Sequence, residues 1–163
     1  MTKIGLISDT HSYLNPKVLE YFKDVDLIWH AGDIGKIDVF YSLDELKPTR
    51  AVYGNIDDSV ARRMFKETEI FMCEGVKVMI RHISGYPGRY NRITKNIIAD
   101  EKPKLVIAGH SHITKVIYDK DLEHLHMNPG AAGKVGIQKI NTILRFAIDG
   151  DNMKDLEVIE FDR

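Results

Sequence analysis

The sequence predicts an α/β domain built on mixed sheets, and three observations carry that prediction. The first third of the chain alternates short apolar runs with helix-patterned segments in the order β-α-β-α-β, which favours parallel strands joined by crossover helices. The remainder is strand-rich, with a hairpin and one further helix. At 163 residues, 44% of them hydrophobic, the chain suits a single domain over residues 1–163, with enough buried surface to need no covalent staple.

The first apolar run, Lys3 to Ser8, has the texture of a strand buried on both faces. It stops at Ser8-Asp9-Thr10-His11. Pro16 stands where a first helical turn tolerates proline, and Val18, Leu19 and Phe22 follow at helical spacing. A second strand, Leu27 to His30, meets a break at Ala31-Gly32-Asp33-Ile34-Gly35. A second helix is predicted from Ile37 to Leu46, closed by Pro48. Arg50 to Tyr53 reads as a third strand, broken at Gly54-Asn55-Ile56-Asp57. Glu69 to Cys73 and Val76 to Arg81 form a hairpin turning at Glu74-Gly75. A helix from about Thr94 to Ala99 precedes the apolar strand Leu105 to Ala108. After Gly109-His110-Ser111-His112 come strands at Lys115–Tyr118, His124–Met127, Asn141–Ile148 and Leu156–Phe161.

Composition narrows the function classes. A net charge of −1 argues against a dedicated nucleic-acid or membrane-surface binder, which would carry a basic excess. No apolar run reaches the ~20 residues of a membrane span, and the N-terminal segment lacks signal-peptide architecture. Cys73 is the single cysteine, so a reducing, cytoplasmic compartment is expected.

The residues at the strand ends form a pattern. Asp9, His11, Asp33, Asn55, His82, His110 and His112 all follow predicted strands, and all are Asp, His or Asn. Imidazole nitrogen with carboxylate or amide oxygen suits a borderline divalent metal. In parallel sheets the loops beyond the carboxyl ends of the strands gather at one edge. Seven donors exceed the need of one ion but suit two, with Asp33 as the bridge. Two ions about 3.5–4 Å apart are a recurring device for phosphoester hydrolysis. Taken singly, an Asp or Asn after a strand is a turn former and a histidine is a packing group; joint occurrence at successive strand ends favours a site. His30, His124 and His126 read as packing histidines, with His30 near enough to Asp33 to support it.

The order Asp9-x-His11, Gly32-Asp33, Gly54-Asn55-x-Asp57, His82, Gly109-His110-x-His112 resembles the calcineurin-like metallophosphoesterase superfamily. The short length and the Asn128-Pro129-Gly130-Ala131 turn resemble its small branch of bacterial and archaeal phosphodiesterases, which includes the eukaryotic retromer scaffold subunit. The resemblance runs from Ile4 to Phe161. It implies a four-layer αββα sandwich, two mixed β-sheets flanked by helices. It also implies that Asp9, His11 and His112 hold one metal, that Asn55, His82 and His110 hold a second, and that Asp33 bridges. Asp33, Asn55, Asp57 and His82 are the implied catalytic group, with Asp57 orienting its neighbours and not ligating. The expected cofactors are two divalent ions drawn from manganese, nickel, zinc, iron and cobalt, with manganese favoured.

Two departures from the family pattern shape the expected chemistry. Ile56 stands where many members carry a proton-donating histidine, a loss of typically 10²–10⁴-fold where such a group matters; this argues for diesters or activated esters. His82-Ile83-Ser84-Gly85 replaces the usual His-Gly pair, so the following loop is expected to run differently. In that loop Arg89 and Arg92 are candidate substrate contacts, with Tyr86 and Tyr90 able to stack a base; the alternative is a solvated loop that caps the next helix.

The sequence thus points to a metal-dependent phosphodiesterase in which a hydroxide bridging two divalent metals attacks a small phosphodiester or nucleotide. The competing reading is a non-catalytic metal-binding scaffold for protein partners. No membrane and no stable nucleic-acid partner are expected, and a homo-oligomer is compatible with the sequence.

Overall fold

The computed structural model describes residues 1–163. Its elements follow in the order β1 (Thr2–Ile7), α1 (Pro16–Phe22), β2 (Leu27–His30), α2 (Asp38–Leu46), β3 (Thr49–Ala51), α3 (Ser59–Met64), β4 (Thr68–Cys73), β5 (Val76–Arg81), α4 (Arg92–Glu101), β6 (Leu105–Ile107), β7 (Thr114–Asp119), β8 (His124–Pro129), β9 (Ile140–Asp149) and β10 (Asn152–Asp162). They form two five-stranded sheets ordered β10-β9-β1-β2-β3 and β4-β5-β6-β8-β7. Each sheet is mixed: β1, β2 and β3 run parallel with β9 and β10 added antiparallel on one side, and β5, β6 and β8 run parallel with β4 and β7 antiparallel at the two edges.

The alternation of side chains along a strand decides which layer each one enters. Ile4 and Leu6 of β1, Val76, Val78 and Ile80 of β5, Leu105 and Ile107 of β6, and Leu144, Phe146 and Ile148 of β9 fill the space between the sheets with Trp29. The intervening residues face outward. Ile7, Ile28 and Ile143 meet Val18 and Phe22 of α1 and Leu43 of α2, while Met79 and Val106 meet Tyr90 and Ile98 beside α4. Helix, sheet, sheet and helix therefore stack as four layers, as expected. Gly5 faces α1, where a Cβ would lie 2.7 Å from the Phe22 ring.

Most expected elements appear within a residue or two of their predicted ends, since buried strands bounded by glycine carry a strong pattern. One helix was not foreseen. Ser59–Met64 is only six residues long, too short for a periodic signal, and is fixed by Asp58, whose carboxylate accepts the N–H groups of Val60 and Ala61. The third strand ends at Ala51 and not Tyr53, and Val52 forms an isolated bridge with Lys66. No helix is long and apolar enough to cross a membrane.

Candidate metal centre

Strands β1, β2 and β3 of one sheet and β5 and β6 of the other end at the same edge, and the loops beyond them carry Asp9, His11, Asp33, Asn55, His82, His110 and His112. The side chains sort into two groups. Asp9, His11 and His112 offer donor atoms within 4.8 Å of one another, and so do Asp33, His82 and His110. The groups touch through the carboxylates. Asp33 Oδ2 lies 3.2 Å from His82 Nε2 and 3.5 Å from His11 Nε2, and Asp9 Oδ1 lies 3.2 Å from His112 Nε2 and 3.8 Å from both His11 Nε2 and His82 Nε2. Asn55 is exposed, with its Oδ1 at 3.1 Å from His110 Nδ1.

The outward atoms of these side chains are committed to the protein, which aims the inward ones. His82 Nδ1 faces the Ala31 carbonyl at 2.7 Å. A carbonyl only accepts, so Nδ1 carries the proton and Nε2 presents a lone pair. The Gln138 amide nitrogen donates to the Val135 carbonyl at 2.7 Å, which turns Oε1 toward His112 Nδ1 at 3.2 Å. His112 Nε2 is thereby left free in the same way. Asp9 Oδ2 accepts from Ser8 Oγ and the His110 N–H, and Asp33 Oδ1 accepts from the Ile56 N–H at 3.0 Å. What remains is a set of unspent donors. Asp9 Oδ1, His11 Nε2 and His82 Nε2 are buried without a hydrogen-bond partner, a condition that costs about 1–3 kcal/mol per group. A divalent cation satisfies all three, so the residues present fit a metal.

The backbone is bent to serve the same end. Asp9, His11, Asp33, His110 and His112 have φ values of 54°, 45°, 54°, 71° and 60°, in the left-handed region that non-glycine residues enter at a cost of roughly 1–3 kcal/mol. Gly32 and Gly109 let these loops approach His82: a Cβ at either position would lie 2.7 or 2.9 Å from His82 Nδ1. Electrostatics agree. Burial would raise the Asp9 carboxyl, but the His11 and His112 imidazoles beside it prevail and hold it well below the ordinary range. Burial likewise opposes the shifts of Asp33 and His82, yet each moves the other toward its charged form. His112 is raised chiefly by Asp9. Two clustered carboxylates thus draw positive charge into a buried space.

Asp57, expected to orient its neighbours and not to ligate, is committed to backbone N–H groups. It is buried, and its two oxygens accept from the N–H groups of Ile34, Gly35 and Gly54, which lashes the Asp33 loop to the Asn55 loop. Ile56 turns its side chain outward, 45% exposed, and contributes only its N–H. His30 is fully buried: Nδ1 accepts from Gly32 N–H, so Nε2 donates to Thr10 Oγ1, which donates to the Ile34 carbonyl. Burial pushes it down to about 3, a neutral brace under the Asp33 loop.

The candidate substrate contacts Arg89 and Arg92 lie on the surface. Neither lines the cleft beside His110, which is walled by Tyr86 and Lys115 among others; Arg92 borders a separate groove with Glu67 and Arg81. Tyr90 is buried and bonded to His124 and His126, so it cannot stack a ligand. Asn91 caps α4 by accepting the Thr94 N–H, the bland alternative for this loop. Two further residues support the site from a distance in sequence. Gln138 is one. Arg62 on α3 is the other, donating to the carbonyls of Asp57 and Asn55; an Asp-capped start at Asp58 was the available signal.

Comparison with known proteins places this arrangement. The family model of the calcineurin-like phosphoesterase superfamily domain matches residues 2–151. A probable metallophosphoesterase of Methanothermobacter thermautotrophicus is 29% identical over 162 residues, spanning 96% of this chain and 91% of that protein. Among solved structures, one described as a novel archaeal phosphodiesterase superposes with a TM-score of 0.75 at 24% identity, covering 96% of this chain and 99% of that one. Vps29 of Entamoeba histolytica in complex with zinc also reaches 0.75, at 16% identity and 98% coverage of both chains. These two likenesses establish a shared fold. With nearly its full length matched by the family model, this chain belongs to the calcineurin-like phosphoesterase superfamily.

Proposed function

We propose that the chain is a phosphodiesterase that hydrolyses small phosphodiesters at a dinuclear site, with manganese the first ion to test. The observation that carries this reading is Asp33 Oδ2, placed between His11 of one donor group and His82 of the other. The Ile56 N–H donates to Oδ1 and orients the Asp33 carboxylate, and Asp33 would be the residue shared by the two ions. Asp9, His11 and His112 would hold one ion and Asn55, His82 and His110 the other. When bound, such a pair supplies Lewis acidity that ionises water and neutralises phosphoryl oxygens.

The remaining work falls to the chain. Ala31 O and Gln138 keep His82 and His112 in the tautomers that present Nε2. Asp57 and Arg62 hold the Asn55 loop in register with Asp33. Because Ile56 offers no proton, the leaving oxygen departs without side-chain help from that position, which supports diesters and activated esters as substrates. The archaeal phosphodiesterase neighbour supports the same substrate class. Buried, unpaired Cys73 is in keeping with a cytoplasmic setting.

The test compares bis-p-nitrophenyl phosphate with p-nitrophenyl phosphate on metal-stripped protein supplied with Mn²⁺, and with Asp33→Asn as control. Diester turnover that is lost in the variant is expected. Equal monoester turnover would show that another group does the work missing at Ile56. Bound metal without turnover of either would shift the reading to a scaffold.

A further inference from the structure

The two sheets leave four edge strands, β10 and β3 in one and β4 and β7 in the other, and three of them are protected. β3 and β4 close one side of the sandwich: Val52 bridges Lys66, and Arg50 Nη1 lies 3.6 Å from Glu69 Oε2. β10 is broken by a bulge between Lys154 and Glu157 and sets Asp155, Glu157, Glu160 and Asp162 against one lysine. A second β10 would be repelled. β7 has neither device. It pairs with β8 in unbroken register from Thr114 to Asp119, holds no proline, and exposes Ile117 and Tyr118 to 45% and 56%.

The backbone groups of β7 that face outward follow from those of β8. The Leu125 N–H donates to the Lys104 carbonyl, and the Ala108 N–H donates to the Met127 carbonyl, so Leu125 and Met127 bond toward β6. Alternation turns His124, His126 and Asn128 toward β7, where they stand opposite Asp119, Ile117 and Lys115. Val116 and Tyr118 therefore present their N–H and C=O groups to the open edge.

We propose that this edge joins a second copy of the chain, the two β7 strands pairing antiparallel about a twofold axis at Ile117. Only outward-facing residues can exchange hydrogen bonds, and registers centred on Val116 or on Ile117 keep most of the strand paired. Charge selects between them. Centred on Val116, each Lys115 would face Ile117 and find no counter-charge. Centred on Ile117, each Lys115 stands opposite Asp119 of the second copy, on the same face of the sheet. Asp119 Oδ1 accepts the N–H groups of Asp121 and Leu122, and Oδ2 accepts no hydrogen bond within the chain. In this register Val116 exchanges both backbone bonds with Tyr118 of the second copy. The exposed Tyr118 ring is then covered by Val116, which already packs on the inter-sheet core. The inference is independent of the phosphodiesterase reading.

Sedimentation velocity on the full chain, from about 1 to 300 μM, suits the weak dimer expected of a small interface. The wild type should pass from monomer to dimer across that range. Tyr118→Pro deletes an outward N–H that bonds nothing within the chain, and Lys115→Glu sets like charges opposite each other. Each should raise the dissociation constant at least tenfold with the circular dichroism spectrum unchanged. Oxidation reads the register separately. Residues opposed at a non-hydrogen-bonded position lie about 4.5 Å apart at Cα, within disulfide reach, so Ile117→Cys should form a covalent dimer. Tyr118→Cys should not, because its counterpart lies two residues along the seam. Cys73 is buried, and the wild type supplies the background. Three results overturn the proposal: a monomer throughout the range, a dimer indifferent to both Tyr118→Pro and Lys115→Glu, or Tyr118→Cys cross-linking as fully as Ile117→Cys.

Discussion

Two clusters of histidine in this chain have opposite characters. In one, His11, His82 and His112 surround Asp9 and Asp33, and buried lone pairs converge on a space that no protein donor fills. In the other, His124 and His126 share the Tyr90 hydroxyl, each at 2.8 Å. The protonation tendencies diverge accordingly. His82 and His112 are raised by the carboxylates. His124 and His126 are lowered, chiefly by burial, His126 to about 4. Buried histidine therefore says little about metal by itself. What distinguishes a ligand is an imidazole whose outer nitrogen is spoken for and whose inner nitrogen meets a carboxylate and no donor.

Substitutions can break that contrast. The largest effect is expected from Asp9→Asn, which removes the charge that His112 and His11 face. Metal affinity at that position should fall by more than about 100-fold, beyond what losing a supporting residue costs, while the metal-free chain stays folded by circular dichroism. Gln138→Leu acts one layer out. It frees the His112 ring to change tautomer, and titration with Mn²⁺ should show affinity for one ion weakened by roughly 10–100-fold. In the second cluster Tyr90→Phe strands two buried imidazoles and should lower stability by about 2 kcal/mol in urea denaturation, with no change in metal affinity.

The smallest effect is one of pH. The His126 pKa is about 4 in the folded chain against an ordinary 6.5, so between those values the unfolded chain binds the extra proton. Its contribution is present above pH 6.5 and is lost as pH falls toward 4. From pH 7 to 5.5 the wild type should lose about 1 kcal/mol relative to His126→Leu. A parallel slope in both proteins would show that burial does not depress this group.

How much of this was legible in the sequence depended on range. The strands were legible because each buried run is bounded by glycine or a turn, and the donors because every one stands directly after such a run. Gln138 was not, since its partner His112 is 26 residues away and nothing local marks the pairing. The path of the segment after His82 was hidden for a related reason. Ser84 Oγ donates to the Arg81 carbonyl and the Asn91 N–H donates to the Ser84 carbonyl, closing the loop on itself. That closure draws Tyr90 into the core and leaves Arg89 on the outside. The substitution of Ile83-Ser84 for a glycine after His82 signalled an altered path without revealing its direction.

The central claim is that the two donor groups form one dinuclear site joined at Asp33. Electron paramagnetic resonance of the chain loaded with increasing Mn²⁺ tests it most directly. Two ions per chain with an exchange-coupled spectrum, replaced in Asp33→Asn by uncoupled Mn²⁺, is the predicted result. A single uncoupled ion at saturation in the wild type would contradict it.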